Sequence, residues 1–164
     1  MRNLLPTILA LCCAALAGPA TSSAGAPAET RTITFGDLSF AVTPPKQVEP
    51  EGAAAPQPSY GDQLPERVRA LDGQRISLRG FMMPTRLEGD GVREFIVVTS
   101  PLVCCYGATP EVYEFILVKM TGDPAPMREN MPAHFEGVLR VGDIYEQGYW
   151  AGLFALECDR VRDE

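Results

Sequence analysis

Two adjacent cysteines, Cys104 and Cys105, lie in the segment PLVCCYGATP and are the residues of this sequence best suited to chemistry. Of the other three cysteines, Cys12 and Cys13 lie near the amino end and Cys158 lies near the carboxyl end, and His134 is the only histidine. Thiolates act as nucleophiles and as ligands for soft metal ions. The residue types alone are therefore compatible with a disulfide, a metal site or a cysteine-dependent enzyme.

A disulfide between the two neighbouring cysteines is disfavoured by geometry. Adjacent Cα atoms lie about 3.8 Å apart across a trans peptide, whereas ordinary disulfides need roughly 4.4–6.8 Å. A bond from Cys104 or Cys105 to Cys158 is the better disulfide candidate. It would close a long segment and stabilise the domain by a few kcal/mol.

A copper or zinc site is the alternative use of these thiols. Its candidate ligands are Cys104, Cys105, Cys158, His134 and Met82, although the sequence contains neither C-x-x-C nor H-x-x-x-H. The simpler interpretations are a strand-entry residue for His134 and a core residue for Met82. A cysteine-dependent enzyme would need Cys104 or Cys105 beside His134 and ranks third. The sequence implies no other cofactor.

A binding surface is a further kind of site that the sequence suggests. Tyr106, Tyr149 and Trp150 could line one face of a small β-barrel, or could instead fill its core and rim. The formal net charge is −7, which disfavours nucleic acid as a ligand because phosphate binding needs a basic surface. An envelope protein or a small ligand is the expected partner.

The first residues predict export. Arg2 and the apolar run over residues 4–17 precede small residues up to Ala24, as in a secretory signal peptide over residues 1–24. The run is too short for a membrane span. Because Cys12 and Cys13 are poorly placed for lipidation, we expect membrane contact through a partner rather than through a lipid anchor. Export to the periplasm or beyond permits disulfides.

Composition divides the remaining chain into three parts. The first, residues 25–42, contains TRTITFGDLSFAV, whose apolar residues flank Gly36-Asp37 and predict a short hairpin. A linker rich in Pro, Ala and Glu occupies residues 43–62. The third part, residues 63–162, contains the turn and strand patterns of a compact β-domain.

Five strand-like runs follow one helical turn after Pro65: QRISLRGFMMP, REFIVVTS, VYEFILVKM, HFEGVLRVGDIYE and GYWAGLFALECDRV. The second and third are nearly continuous in apolar residues, which predicts burial on both faces. No segment has the period of a long helix. The fold class that we expect is all-β, a small five-stranded OB-like, partly open barrel preceded by an N-terminal strand pair.

Two segments, GFMMP over residues 80–84 and CCYG over residues 104–107, resemble an exported bacterial family of small domains with no assigned function. The resemblance covers residues 60–161 and implies an exported OB-like β-domain. Some members of that family are similar to components encoded beside transporters or metal-responsive systems. Other members carry a His in the cysteine loop, where this chain has none.

The function that we expect from these observations is that of an exported, non-catalytic binding or accessory module associated with a transport or envelope system. A periplasmic copper- or zinc-binding protein that uses Cys104 and Cys105 is the alternative. A cysteine-dependent enzyme is the third hypothesis.

Overall fold

The computed structural model describes residues 29–44, 59–102 and 110–163, and most of the regular structure in these ranges is β-strand. The strands are β1 (Arg31–Ile33), β2 (Arg75–Glu88), β3 (Gly91–Val98), β4 (Phe115–Met120), β5 (Ala125–Pro126), β6 (Pro132–Glu146) and β7 (Tyr149–Asp163). Short helical turns are α1 (Phe35–Leu38), a 3-10 turn (Gly61–Gln63) and α2 (Glu66–Arg69). No helix in these ranges is long and apolar enough to cross a membrane.

The all-β prediction is confirmed, and the five predicted strands correspond to β2, β3, β4, β6 and β7. The predicted helical turn after Pro65 is α2. The sheet nevertheless contains seven strands rather than five, in one mixed arrangement. The two additional strands, β1 and β5, are three and two residues long, too short to produce an alternating pattern in the sequence.

The strand pairings run in a circle. β2 pairs with β6 through residues 75–81 and with β3 through residues 81–88. β3 pairs with β4, β4 pairs in parallel with β7, and β7 pairs with β6. β1 lies along the first half of β2, and β5 lies beside the start of β3. Each of the five long strands therefore has a hydrogen-bonded neighbour on both sides.

The predicted N-terminal hairpin is wrong, because residues 30–42 form one strand and one helical turn. Thr34 caps α1, and both its backbone N–H and its hydroxyl donate to Oδ2 of Asp37, at 2.7 and 2.8 Å. The hydrogen bonds from Thr34 also lower the pKa of Asp37. This reciprocal cap favours a helical start over the turn expected at Gly36-Asp37. β1 then pairs with β2 instead of with a partner in its own segment.

The N-terminal segment packs onto the same body as the barrel strands. Ile33 and Leu38 are 2% and 0% exposed and belong to the common core. The Arg67 guanidinium donates to the carbonyl of Asp37 at 2.7 Å and to that of Ser39. Such contacts hold residues 29–44 against α2 and leave the segment little freedom to separate.

The core fills the space inside the circle of strands. Phe95 of β3 and Phe135 of β6 do not lie on neighbouring strands, yet their ring centroids are 5.4 Å apart across the interior. Other fully buried side chains around them are Ile76, Leu78, Ile116, Leu139, Leu153, Phe154 and Leu156. The side chains that point outward from the same strands are therefore those available for binding.

Candidate functional site

A groove of about 360 Å³ crosses the outer face of the sheet. Four strands form its base and sides, β3, β4, β7 and β6, and Thr85 of β2 closes one end. The outward-facing side chains that line it are Thr85, Glu94, Ile96, Leu117, Lys119, Arg140, Ile144, Glu146, Ala155 and Glu157. It lies between the β2–β3 hairpin on one side and the β6–β7 hairpin on the other.

The floor of the groove is apolar. Ile96 lies opposite Leu117 in the β3–β4 pair, and Leu117 lies opposite Ala155 in the β4–β7 pair. These three side chains are only partly buried, whereas alternate residues such as Phe95 and Val118 point into the core. The apolar runs in β3 and β4 predicted burial on both faces. That prediction is wrong for the outer face, which is open at the groove.

Charged side chains form the next row along the same face. Glu94 forms ion pairs with Arg86 and Lys119, with nitrogen–oxygen distances of 3.2 and 3.3 Å. Arg140 and Glu157 form a second pair, with nitrogen–oxygen distances of 3.0 and 3.2 Å. Pairs this exposed contribute little to stability. Their effect is to hold a polar border of both signs beside the apolar floor.

The β6–β7 hairpin supplies the remaining wall. Gln147 and Gly148 have φ values of 51° and 87°, as in a tight two-residue hairpin turn with two left-handed positions. Glu146 lies directly opposite Tyr149, and Ile144 lies opposite Gly152. Ile144 and Glu146 line the groove. Tyr149, predicted as part of a binding surface, is therefore at the groove's edge and is 72% exposed.

Trp150, predicted as a second binding residue, contacts other residues of the protein, and its role in binding stays a prediction. Its ring packs against that of Tyr60 with centroids 5.0 Å apart, and its indole N–H donates to Oδ1 of Asp143 at 2.8 Å. Successive side chains of a strand point to opposite faces, so Trp150 faces away from Tyr149 and the groove. The third predicted aromatic residue, Tyr106, lies outside the described residues.

Cys158 is fully buried in the core. Its thiol donates to the backbone carbonyl of Arg160, with 3.3 Å between sulfur and oxygen, and is free rather than joined to a second sulfur. Cys158 carries no disulfide in the described part of the chain, and the predicted bond to Cys104 or Cys105, which lie outside it, stays a prediction. Burial is the main cause that raises the pKa of the Cys158 thiol to about 11, so the thiolate that nucleophiles and metal ligands require is disfavoured here.

The remaining predicted ligands do not converge on Cys158. His134 lies on the outer face of β6, in register with Arg79 and Arg162. Cys158 pairs with Gly137, and the residues two positions to either side of Gly137 in β6, Phe135 and Leu139, are buried in the core. The imidazole of His134 and the thiol are therefore on opposite sides of the sheet. Met82 is a core residue with 5% exposure.

No group of three or more His, Cys, Asp or Glu residues able to hold a metal ion occurs within the described ranges. Cys104 and Cys105 lie outside those ranges. A metal site or a reactive thiol built on these two residues stays a prediction.

The groove residues were not singled out from the sequence. Their signal was present in β3 and β4, where apolar side chains occupy both faces although only one face lines the core. Ile96 and Leu117 are the apolar residues on the face that does not line the core. Glu146 carried no such signal, because its position at the groove depends on the hairpin turn and on the pairing register.

No protein-family model matches this chain, and no curated protein matches it. Among solved structures, the chain is similar to a DUF3299 family protein from Pseudomonas aeruginosa PAO1, with a TM-score of 0.58 and 22% sequence identity. The similarity covers 83% of this chain and 97% of that chain. At this identity the likeness concerns the fold, and it fits the expectation of an uncharacterised family of domains.

Proposed function

We propose that this protein is an exported, non-catalytic binding or accessory module whose ligand occupies the groove on β3, β4 and β7. The partly exposed apolar floor carries the proposal. A sheet with one solvated face normally places polar residues on that face, and Ile96, Leu117 and Ala155 depart from this rule together. The groove's volume of about 360 Å³ also falls within the usual range of ligand sites.

The proposal includes an OB-like fold for the circle of five strands. An OB-fold is a five-stranded, partly open Greek-key barrel, and its ligands bind on the face of the second and third strands between flanking loops. Counted from β2, the second and third strands of the circle are β3 and β4. The groove lies on these two strands, between two hairpins, which supports a binding role for it.

The chemistry of the groove favours binding over acid–base catalysis. Two of its carboxylates, Glu94 and Glu157, are already paired with Lys119 and Arg140.

The proposed export rests on the N-terminal sequence. Fusion of residues 1–24 to alkaline phosphatase, which is active only after export, tests it, and an inactive fusion would contradict it.

A titration followed by NMR tests the groove. The probe is a blocked neutral pentapeptide, acetyl-Leu-Gln-Leu-Gln-Leu-amide, added to the nitrogen-15-labelled protein. We expect saturable shifts in the amides of Ile96, Leu117 and Ala155, and their loss in Leu117→Gln. The matched control is Leu87→Gln, at an apolar position that is 61% exposed outside the groove. Absence of shifts at the groove, or equal effects of the two variants, would contradict the proposal.

A further inference from the structure

We infer that the groove binds an extended protein segment in which apolar residues are accompanied by Lys or Arg, and that Glu146 and Tyr149 together receive the cation. This inference rests on the proposed function, because it assigns a ligand class to the same groove. It goes further by naming the charge of the partner and the two side chains that select it.

The exposed carboxylate of Glu146 is the first observation that supports this inference. It lines the groove and is exposed. The other two groove carboxylates, Glu94 and Glu157, are neutralised by basic neighbours. The side chain of Glu146 makes no ion pair or hydrogen bond in the part of the chain that the structure describes. The apolar floor is thus bordered by one carboxylate whose charge is available to a ligand.

Tyr149 is the second and independent reason. It lies directly across the strand pair from Glu146, so the two side chains share a face with Cβ atoms about 5 Å apart. Its ring is 72% exposed. An aromatic face within about 6 Å attracts an ammonium or guanidinium group. A carboxylate and an exposed ring side by side are a suitable receptor for a Lys or Arg side chain.

The shape of the groove favours a chain segment over a small amine. It crosses four strands, and strands lie about 4.8 Å apart, which gives a length of about 14 Å. At the groove, β3, β4 and β7 are hydrogen-bonded on both sides, so a partner cannot add a strand to any of these three. It must bind through side chains, with apolar groups on the floor and a cation at the hairpin. The net charge of −7 favours approach of such a segment.

Calorimetry with three blocked peptides tests the inference. They share the pattern acetyl-Leu-X-Leu-X-Leu-amide, where X is Lys, Gln or Glu. We expect the Lys peptide to bind about tenfold more tightly than the Gln peptide. Glu146→Gln should weaken binding of the Lys peptide about fivefold more than it weakens binding of the Gln peptide. Tyr149→Leu should weaken the Lys peptide about threefold, and added salt should reduce the preference for Lys.

Controls separate this inference from the proposed function. Glu129→Gln removes an exposed carboxylate outside the groove and should have no effect. Equal affinity of the Lys and Gln peptides, or a preference for Glu, would overturn the inference while leaving the groove as a binding site. Binding of lysine amide alone as tightly as the Lys peptide would overturn the choice of a chain segment. Failure of all three peptides to shift the groove amides would refute the proposed function itself.

Discussion

Asp143 is the residue that connects the segment before α2 to β6. Its Oδ1 accepts hydrogen bonds from the Tyr60 N–H at 2.9 Å and the Trp150 indole at 2.8 Å. Its Oδ2 accepts from the Ser59 hydroxyl at 2.7 Å and the Gly61 N–H at 2.9 Å. Burial acts to raise the pKa of Asp143, but the four hydrogen bonds outweigh it and hold the pKa below its usual value.

Replacement of Asp143 by Asn should lower the free energy of unfolding by about 2 kcal/mol. An amide retains only one acceptor oxygen, so its NH₂ group would face the Gly61 N–H, another donor. Asp62→Asn is the control, since its side chain makes no such contact. The measurement is denaturant unfolding followed by Trp150 fluorescence. Equal stability of the two variants would contradict the role of Asp143.

The Asp143→Asn variant also tests how the stabilisation by Asp143 depends on pH. Because the folded pKa of Asp143 is lowered, its stabilising contribution is complete above the unfolded value of about 3.9 and is lost as the pH falls through the folded value. The difference between wild type and Asp143→Asn should therefore shrink on acidification. A difference that grows toward low pH would show that the carboxylate is not the stabilising form.

The chemical character of a residue could be predicted from the sequence better than its surroundings in the fold. Cys158 was identified as a thiol of interest, but its burial and raised pKa follow from the pairing of β7 with β6 and β4. Asp143 was not identified at all, because its donors come from residues 59–61 and from Trp150. Spacing along the chain does not reveal partners more than eighty residues apart.

At the scale of elements, a β-bulge shapes the β6–β7 pair. Glu136 pairs with Arg160 and Gly137 pairs with Cys158, so Asp159 is the extra residue on β7. The bulge directs Asp159 toward β2, where the Arg75 guanidinium donates to both its carboxylate oxygens at 2.5 and 2.7 Å. The hydrogen bond from Arg75 also lowers the pKa of Asp159. The two backbones approach closely at this point.

Gly137 is the residue that permits this approach. A Cβ atom at Gly137 would lie 2.1 Å from the carbonyl oxygen of Glu157 and 2.8 Å from Cα of Cys158. Backbone atoms cannot move aside as a side chain can, so Gly137→Ala should cost about 3 kcal/mol or more. Gly122→Ala is the matched control, because nothing lies within 4 Å of its Cβ position. Thermal unfolding measures both, and equal melting temperatures would contradict the close approach.

Long elements were predictable and short ones were not. The five long strands carry enough apolar residues for a pattern to emerge, and all five were predicted from it. The N-terminal segment was predicted as a hairpin because Gly36-Asp37 resembles a turn. Asp37 instead completes the cap of α1, and β1 pairs with a strand more than forty residues away. Local sequence pattern contains no information on that partner.

At the scale of the whole molecule, the N-terminal segment and the strands share one core. Composition separates residues 25–42 from the β-domain by a linker, and the sequence does not settle whether the segment packs on the barrel or stays apart. Ile33 and Leu38 are nevertheless buried with the strand residues, and Gln63 exchanges two hydrogen bonds with the backbone of Thr43, at 2.8 and 2.9 Å. The order of strands around the circle likewise could not be deduced from composition, since it depends on non-local pairing.

A chain that begins at Ser59 should therefore be much less stable than one that begins at Glu29. Loss of Ile33 and Leu38 removes two buried side chains worth about 1.5–3 kcal/mol each, against a typical domain stability of about 5–15 kcal/mol. The missing strand also exposes the edge of β2 at residues 76–78, which favours self-association. Denaturant unfolding and sedimentation compare the two chains. Equal unfolding free energies, with both chains monomeric, would show that the N-terminal segment is not part of the folding unit.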